Sequence, residues 1–470
     1  MPSRISSNQI QILKTHLSDG TTVLNPEDPG YESSLKRWSD TAVKPAGVVV
    51  FPGSPEDVGK AVKFAHDNGI DLAVKGGGHS TDLSASSDGG IVIDLGRLKK
   101  VTVDPTDKTV TVQGGALWAD VDKAAAQFDL AVVGGTVSHT GVGGLTLRGG
   151  YGFLTPEYGL AIDNLIAAKV VTADGQQLTA TDEVNTDLFW AIKGAGQCIG
   201  VVVEFMFKAH PQPHYVWTGM ITFAADKLPA IIDSLNGALR HPEGKASAQC
   251  VLARSPDGAV VTTVVFFNGS EEAGKRHFSR LLEIEAIDYG MKARAYEETN
   301  TMLDPVLPVG GRKSIVGLLL APPIRPEFAS RVMNELQHKI TAEPDMSSTC
   351  IEIDYFDMSK ICQTPATETA FPSRRMILNA ALLLQWSDPN KDAELMDWAE
   401  NIQDMCNSEL RDAGYEPGRL VSNFFSYSQD CKLIPADMFG DNSEHLMEVK
   451  KKYDPGNFFR KLNPLTSELN

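Results

Sequence analysis

Residues 74–81 read VKGGGHST, three consecutive glycines (Gly76, Gly77 and Gly78) running directly into His79 and Ser80. Glycine leaves its backbone N–H uncovered and reaches positive φ without steric cost, so successive N–H groups can converge on an anion such as a pyrophosphate. The imidazole beside them is a nucleophile, a base or a metal ligand. A Gly-rich turn around a buried histidine is the plainer alternative, and this short stretch alone does not choose between them. A second segment weighs in favour of a ligand. GGTVSHTGVGGLTLRGGYGF, starting at 134, carries Gly134, Gly135, Gly141, Gly143, Gly144, Gly149, Gly150 and Gly152. So many glycines cost backbone entropy, and they suit a chain lying flat against a large planar ligand; a glycine-rich β-roll is the competing explanation. Other motifs fail on context. GAGQCIG, residues 194–200, follows a helical stretch and precedes a strand, the reverse of the strand–turn–helix order that a dinucleotide fingerprint needs. There is no P-loop, no HExxH and no zinc spacing, so no metal is expected.

The elements around these loops read as α+β. GVVVFPGSPEDVGKAVKFAHDNGIDLAVKGGGHS predicts strand, turn, helix, strand and Gly loop. Ser54 is the expected N-cap, Pro55 the first helical residue, and Asn68-Gly69 the stop. A second helix is predicted near 117–127, and a hairpin turns at Asp174-Gly175. After HPQPHY, residues 210–215, the pattern changes to longer alternating strands: YVWTGMITF, AVVTTVVFF, SIVGLLLA, TCIEIDYF and MILNAALLLQW. Amphipathic helices are expected near 273–284, 326–341 and 391–412, giving an antiparallel sheet covered by helices on one face. The expected organisation is 1–213 with a core at 42–213, a second domain at 214–415, and a tail at 416–470 that folds back on the first.

A chain of 470 residues with a formal charge of -17 argues against nucleic acid and anionic membranes as partners. The first twenty residues hold no apolar run of signal-peptide length, and no later run is long enough to span a bilayer, which reads as cytoplasmic. The six cysteines are scattered without a CxxC pair, as expected for buried free thiols.

Five ordered segments make the chain resemble one family. KPAGVVVFPGSPEDVGKAVKFAHDNGIDLAVKGGGHS, GIVIDLGRLKKVTVDPTDKTVTVQGGALWADVD, GVGGLTLRGGYGFLTPEYGLAIDNL, VVTADG and DLFWAIKGAGQCIGVVVEF are similar, in order, to the PCMH-type FAD domain of the vanillyl-alcohol-oxidase superfamily. TAFPSRRMILNAALLLQW and YDPGNFF point to its berberine-bridge-enzyme-like branch, near the 6-hydroxynicotine oxidase-like members. The resemblance implies an FAD domain of two α+β subdomains, an inserted substrate domain of antiparallel sheet plus helices, and a C-terminal segment returning to the flavin. It implies FAD contacts from Lys75, Gly76, Gly77, Gly78, His79, Ser80, Gly135, Thr140, Gly141, Gly143, Gly144, Gly150, Gly200, Val201 and Asn423. His79 stands where the family bonds the flavin 8α-methyl, and Lys75 where an arginine is common. Val137 occupies the place of a second, cysteinyl attachment, so a single covalent bond is expected.

The departures bear on chemistry. Thr140, at the position that governs oxygen access, leaves oxidase and dehydrogenase both open. The family's C-terminal Tyr-x-Asn-Tyr reads Val421, Asn423 and Phe424 here, so the usual tyrosine base is missing. Tyr427, three residues on, and the strand pair Glu352 and Asp354, which share one face, are the remaining candidates for catalysis. Tyr151, Tyr158 and His139 sit in or beside the flavin loops. The expectation is an FAD-dependent oxidoreductase taking a hydride from a small, partly apolar amine, heteroaromatic or alcohol, with O2 reoxidising the flavin, in specialised metabolism. A flavin binder with weak or lost activity, a dehydrogenase or cyclase that does not use O2, and a flavin-free carbohydrate-binding protein are the alternatives. Oligomeric state and substrate identity are not legible.

Overall fold

The computed structural model describes residues 4–240, 244–416, 435–461 and 465. Asn423, Phe424, Tyr427 and Cys431 lie outside them.

Two sheets are drawn from the first half. The first has four strands in the order Thr22–Leu24, Val48–Phe51, Ile91–Asp94 and Leu72–Lys75, the last two pairings parallel. The helix Pro55–Asp67 covers it. Its start follows the residue types: the Ser54 hydroxyl accepts from Asp57 N at 3.2 Å, and Pro55 needs no N–H partner at that position. Gly69, at φ +61, turns the chain out of the helix. The second sheet has five strands in the order Val101–Asp104, Thr109–Gln113, Val201–Lys208, Leu165–Val171 and Gln177–Thr181. Val171, Val201 and Val203 join the core beneath the first sheet, so the two pack as one unit.

An eight-stranded sheet follows. Its spatial order is Asp288–Tyr289, Val216–Ala224, Gly258–Phe267, Ala246–Ser255, Cys350–Phe356, Leu378–Trp386 and Arg312–Leu320, with Lys292–Arg294 pairing Val216–Ala224. Every pairing is antiparallel. Strand Ala246–Ser255 and helix Leu228–Leu239 are not anticipated from the sequence. ASAQCVLARS alternates small and polar residues rather than large apolar ones, so its period is faint. Helices Leu228–Leu239, Pro326–Ala342 and Asp392–Asp412 pack on one face, against Cys250, Leu252, Ile351, Ile353, Leu382 and Leu384. Because strand side chains alternate, the intervening Gln249, Glu352, Asp354, Ala381 and Leu383 face the other way. That opposite face meets the glycine loops through a mixed core of Tyr151, Phe153, Phe266, Phe356 and Phe371.

Residues 435–461 pack on the first-half elements. Helix Ser443–Tyr453 lies along helix Thr186–Ala195, where Lys452 and Tyr453 both reach Asp187, at 2.6 and 2.8 Å. Lys450 is buried and donates to Asp454 at 2.6 Å, to the Cys198 carbonyl at 2.5 Å and to the Phe459 carbonyl at 2.8 Å. Among the described residues no helix is long and apolar enough to cross a membrane. Cys198, Cys250 and Cys406 are buried free thiols, and Cys350 and Cys362 are free and half-buried. Lys450→Ala would leave Asp454 buried without its cation. We expect a loss of about 3 kcal/mol, read as a lowered midpoint of thermal unfolding.

Candidate active site

Between the glycine loops and the open face of the eight-stranded sheet lies a cleft of about 1680 Å³, its open mouth included. A second cleft of about 820 Å³ adjoins it and shares Val74, Gly76, Ala85, Gly144 and Gln197. The first is lined by Lys75, Gly76, Gly77, Gly78, His79, Ser80, Gly135, Thr140, Gly141, Gly144 and Gly150 on one wall, and by Gln249, Glu352 and Asp354 on the other. The second is lined by Gly143, Gly200 and Val201, with Phe458, Phe459, Arg460 and Lys461 from the C-terminal segment. The structure thus brings every described candidate to one continuous space. Tyr427 and Asn423 fall outside the described residues.

The glycines have two distinct reasons. Gly77 and Gly141 pack main chain on main chain: a Cβ on Gly77 would lie 2.5 Å from Gly141 N, and one on Gly141 would lie 2.4 Å from Gly77 N. Gly78, at φ +67, then turns the chain so that its carbonyl accepts from Trp38 N at 2.9 Å. Gly144 is different. A Cβ there meets nothing within 4 Å, so it is bare toward open space. Loop-to-loop contact therefore accounts for part of the glycine density that the sequence attributes to a ligand.

His79 lies with its ring between Trp38, stacked at 4.3 Å and 11°, and His139, at 5.1 Å and 22°. Its Nε2 is 3.2 Å from His139 Nδ1. Burial, then the neighbouring His139 and Lys313, push its pKa down to about 3, so the imidazole is neutral. Lys313 is buried, sits 4.6 Å from the Trp38 ring, and donates to the carbonyls of Trp38, Pro308 and Gly310. This binds a strand of the large sheet to the tryptophan that supports His79.

On the opposite wall, Gln249 Nε2 donates to Glu352 Oε1 at 2.6 Å and to Asp354 Oδ1 at 3.0 Å. The Tyr151 hydroxyl donates to Asp354 Oδ2. Burial raises both carboxyls, and Asp354 raises Glu352 further. Asp354 has the two donors, so these hydrogen bonds favour Asp354 over Glu352 as the charged member of the pair. This is not a solvated strand face. Tyr151 is buried and acts on Asp354, whereas Tyr158 stacks on His210 at 3.7 Å.

Sequence reasoning missed two residues. Lys75 is paired with Asp94 at 2.9 Å, so its charge is already engaged. Arg37 lines the same wall, is buried, and has no partner for its Nη2 among the described residues. Its signal, a single arginine in SLKRWSD, is too slight to find. Gln197, where the clefts meet, has both side-chain polar atoms buried without a partner among the described residues. An FAD fits this donor set: a free guanidinium edge and bare glycine main chain suit a pyrophosphate, and Gln197 offers an amide to a polar ligand passing between the clefts. Among the described residues no group of His, Cys, Asp or Glu is arranged to hold a metal.

The fold and cleft define an FAD-binding protein of the PCMH type, and the comparisons agree. A family model described as "FAD binding domain" matches residues 46–181, and one described as "Berberine and berberine like" matches 422–464. The FAD-linked oxidoreductase pgmH of Aspergillus terreus is 31% identical over 98% of this chain and 97% of that protein. The (R)-6-hydroxynicotine oxidase of Paenarthrobacter nicotinovorans is 29% identical over 95% and 97%. The crystal structure of 6-hydroxy-D-nicotine oxidase from Arthrobacter nicotinovorans superposes with a TM-score of 0.83 at 28% identity, covering 96% of this chain and 99% of that one. The chain belongs to the berberine-bridge-enzyme-like family of FAD-linked oxidoreductases.

Gly77→Ala in the flavin-free protein forces two backbones apart, and we expect a loss of about 1–3 kcal/mol. Gly144→Ala should stay within about 0.5 kcal/mol of the parent. Thermal unfolding of both variants checks the contrast.

Proposed function

We propose that the protein is an FAD-dependent oxidase of a small, partly apolar amine, and that its flavin is bonded to His79 alone. One observation carries the substrate class: the wall facing His79 holds a buried carboxyl pair, Glu352 and Asp354, beside Leu303, Leu307, Ile315 and Leu383. An acidic spot in an apolar pocket suits a cationic nitrogen on a hydrophobic frame. The relative named for 6-hydroxynicotine, itself a heteroaromatic amine, supports the same class.

FAD bound here supplies a two-electron acceptor, taking hydride at N5 and passing the electrons to O2. The chain's residues hold it and prepare the substrate. The bare glycine main chain and Arg37 would hold the pyrophosphate. Lys313 and Trp38 fix the His79 ring. Asp354, held by Tyr151 and Gln249, accepts the proton of the incoming ammonium, and the freed nitrogen lone pair assists departure of the hydride. An amine of this kind needs no tyrosinate, which accords with Phe424 at the family's tyrosine position.

His79 is the attachment point by position and by its neutral imidazole, and Val137, buried and lining the same cleft, has no atom that bonds a flavin. Acid-precipitated protein should stay yellow, and one flavin peptide should contain residue 79. His79→Ala should still bind FAD, less tightly and at a lower reduction potential. Complete release of FAD by acid would refute the attachment.

The substrate assignment is tested by anaerobic mixing with amines, alcohols and phenolics while the visible flavin band is followed. An amine should bleach it, and its uptake should weaken as pH rises above the substrate's ammonium pKa, where the cation that the carboxylate receives is lost. Asp354→Asn should slow that reduction about 10²-fold or more, and Tyr427→Phe should leave it within about twofold. Bleaching by an alcohol that Tyr427→Phe abolishes would put the base at Tyr427 instead.

A further inference from the structure

The cleft-facing side of the large sheet has a relief of its own beside the two acids. Ala381 is paired in register with Glu352 on one side and with Gly317 on the other. Two residues along the strands in one direction, Leu383 is paired with Ile315; two residues in the other, Asn379 is paired with Leu319. Ala380, Leu382, Val316 and Leu318 pack against the helices, so the alternating Ala381, Leu383 and Ile315 face the cleft, and all three line it. The row through Ala381 and Gly317 carries one methyl group and one hydrogen, while the rows beside it carry large side chains. Same-face residues on a strand stand about 7 Å apart and neighbouring strands about 5 Å, so the flanking rows run about 13 Å apart, backbone to backbone. This makes a slot across two strands. Glu352 closes one end, and the other leads over Arg312–Leu320, the edge strand of the sheet.

The slot is polar at its closed end only. Glu352 is half-buried there, with Asp354 and Gln249 beside it at 1% and 2% exposure. Gln249 lines the same cleft, and its Oε1 is buried without a partner among the described residues. Ala381, Gly317, Ile315 and Leu383 have no polar side-chain atom. A ligand that answers both parts has a hydrogen-bond-donating nitrogen at one end and a flat apolar ring next to it. A branched frame would meet Leu383 and Ile315 on one flank and Leu319 on the other.

We propose that Ala381 and Gly317 are specificity-determining residues, the floor on which one flat ring of the substrate lies, with its nitrogen toward Glu352 and Asp354 and its far end over Gly317 toward the sheet edge. The inference rests on the reading of the protein as an amine oxidase and adds the shape of the amine to it. The slot treats the positions of such a ring unequally. A para substituent points along the slot, over Gly317, and is admitted. A meta substituent points across it, at the flanking rows of Ile315 with Leu383 or of Leu319 with Asn379, and is excluded. A single methylene against a pocket wall discriminates about 10–200-fold, so the difference between the two isomers is large enough to read.

The test uses the flavin-loaded protein and two matched probe series: propylamine, benzylamine, 3-tert-butylbenzylamine and 4-tert-butylbenzylamine, and the four corresponding alcohols. Anaerobic flavin reduction gives the reduction rate over the dissociation constant, and perturbation of the visible flavin spectrum gives binding alone. The wild type should prefer the 4-substituted amine to its 3-isomer about 10-fold or more. Ala381→Leu should lower the benzyl-to-propyl ratio about 10²-fold. Gly317→Val should remove the preference for the 4-isomer, and Leu383→Ala should remove it from the other side by admitting the 3-isomer. Equal use of the two isomers by the wild type, a benzyl-to-propyl ratio in Ala381→Leu within about twofold of the wild type, or a wild-type flavin that no ring probe perturbs each overturns the slot. Should Ala381→Leu yield no folded flavoprotein, Leu383→Ala decides, and an unchanged isomer ratio overturns it. Amines that bleach the flavin without isomer preference refute the slot and leave the amine reading standing. Alcohols that bleach it with the isomer preference, where amines do not bleach it, refute the amine reading and leave the slot standing.

Discussion

The site depends on one close approach, the main-chain contact between Gly77 and Gly141. These two residues bring the loop after strand Leu72–Lys75 against the loop before helix Val142–Thr146, closer than any side chain allows. Each loop carries a histidine a few residues away, so the same contact sets His79 beside His139. It also aligns the bare main chain of both loops along one wall of the cleft. A chain that spaced these loops by a single methyl would lose the wall and the pairing together.

The large sheet completes what the loops begin. Its helix-covered face is an ordinary apolar core. Its other face supplies chemistry, because the pleat puts Gln249, Glu352 and Asp354 on one side of adjacent strands, paired Gln249 to Asp354 in register. The sheet reaches the histidine wall as well, through Lys313 beneath Trp38. The cleft therefore has two electrostatic ends. Burial, with His139 and Lys313 beside it, keeps His79 neutral, while burial and mutual repulsion favour the protonated form of the carboxyl pair. Groups with neutral forms at one end and a shared charge at the other suit bonding a flavin and receiving a cation in the same space.

Relatives of this fold act on different molecules by their names, and the solved structures include a chitooligosaccharide oxidase whose resemblance at 19% identity is one of fold alone. What this chain shares with them is the flavin-loop architecture. Its own sheet face carries a buried carboxyl pair that meets Tyr151, and Phe424 stands at the tyrosine place of the C-terminal motif it resembles. Function in such a family follows the substrate-side residues more than the scaffold.

Much of this was legible in residue order alone. The Ser54-Pro55 start and Asn68-Gly69 stop marked one helix, because capping and turn preferences are local. Alternation marked five long strands and placed Glu352 and Asp354 on one face, because the strand period is two. The glycine motifs and their order marked the FAD loops. What stayed illegible were properties of contact. Strand Ala246–Ser255 has no apolar alternation, yet its pairing with two neighbours decides that Gln249 meets the acids. Lys75 looked like a phosphate ligand until the fold gave it Asp94, and Arg37, silent in the sequence, was left with the free donor. Local propensity and periodicity act within a few residues, so sequence determined the elements and the loops; which polar group pairs with which, and which is left over, was decided only when the sheets closed on each other.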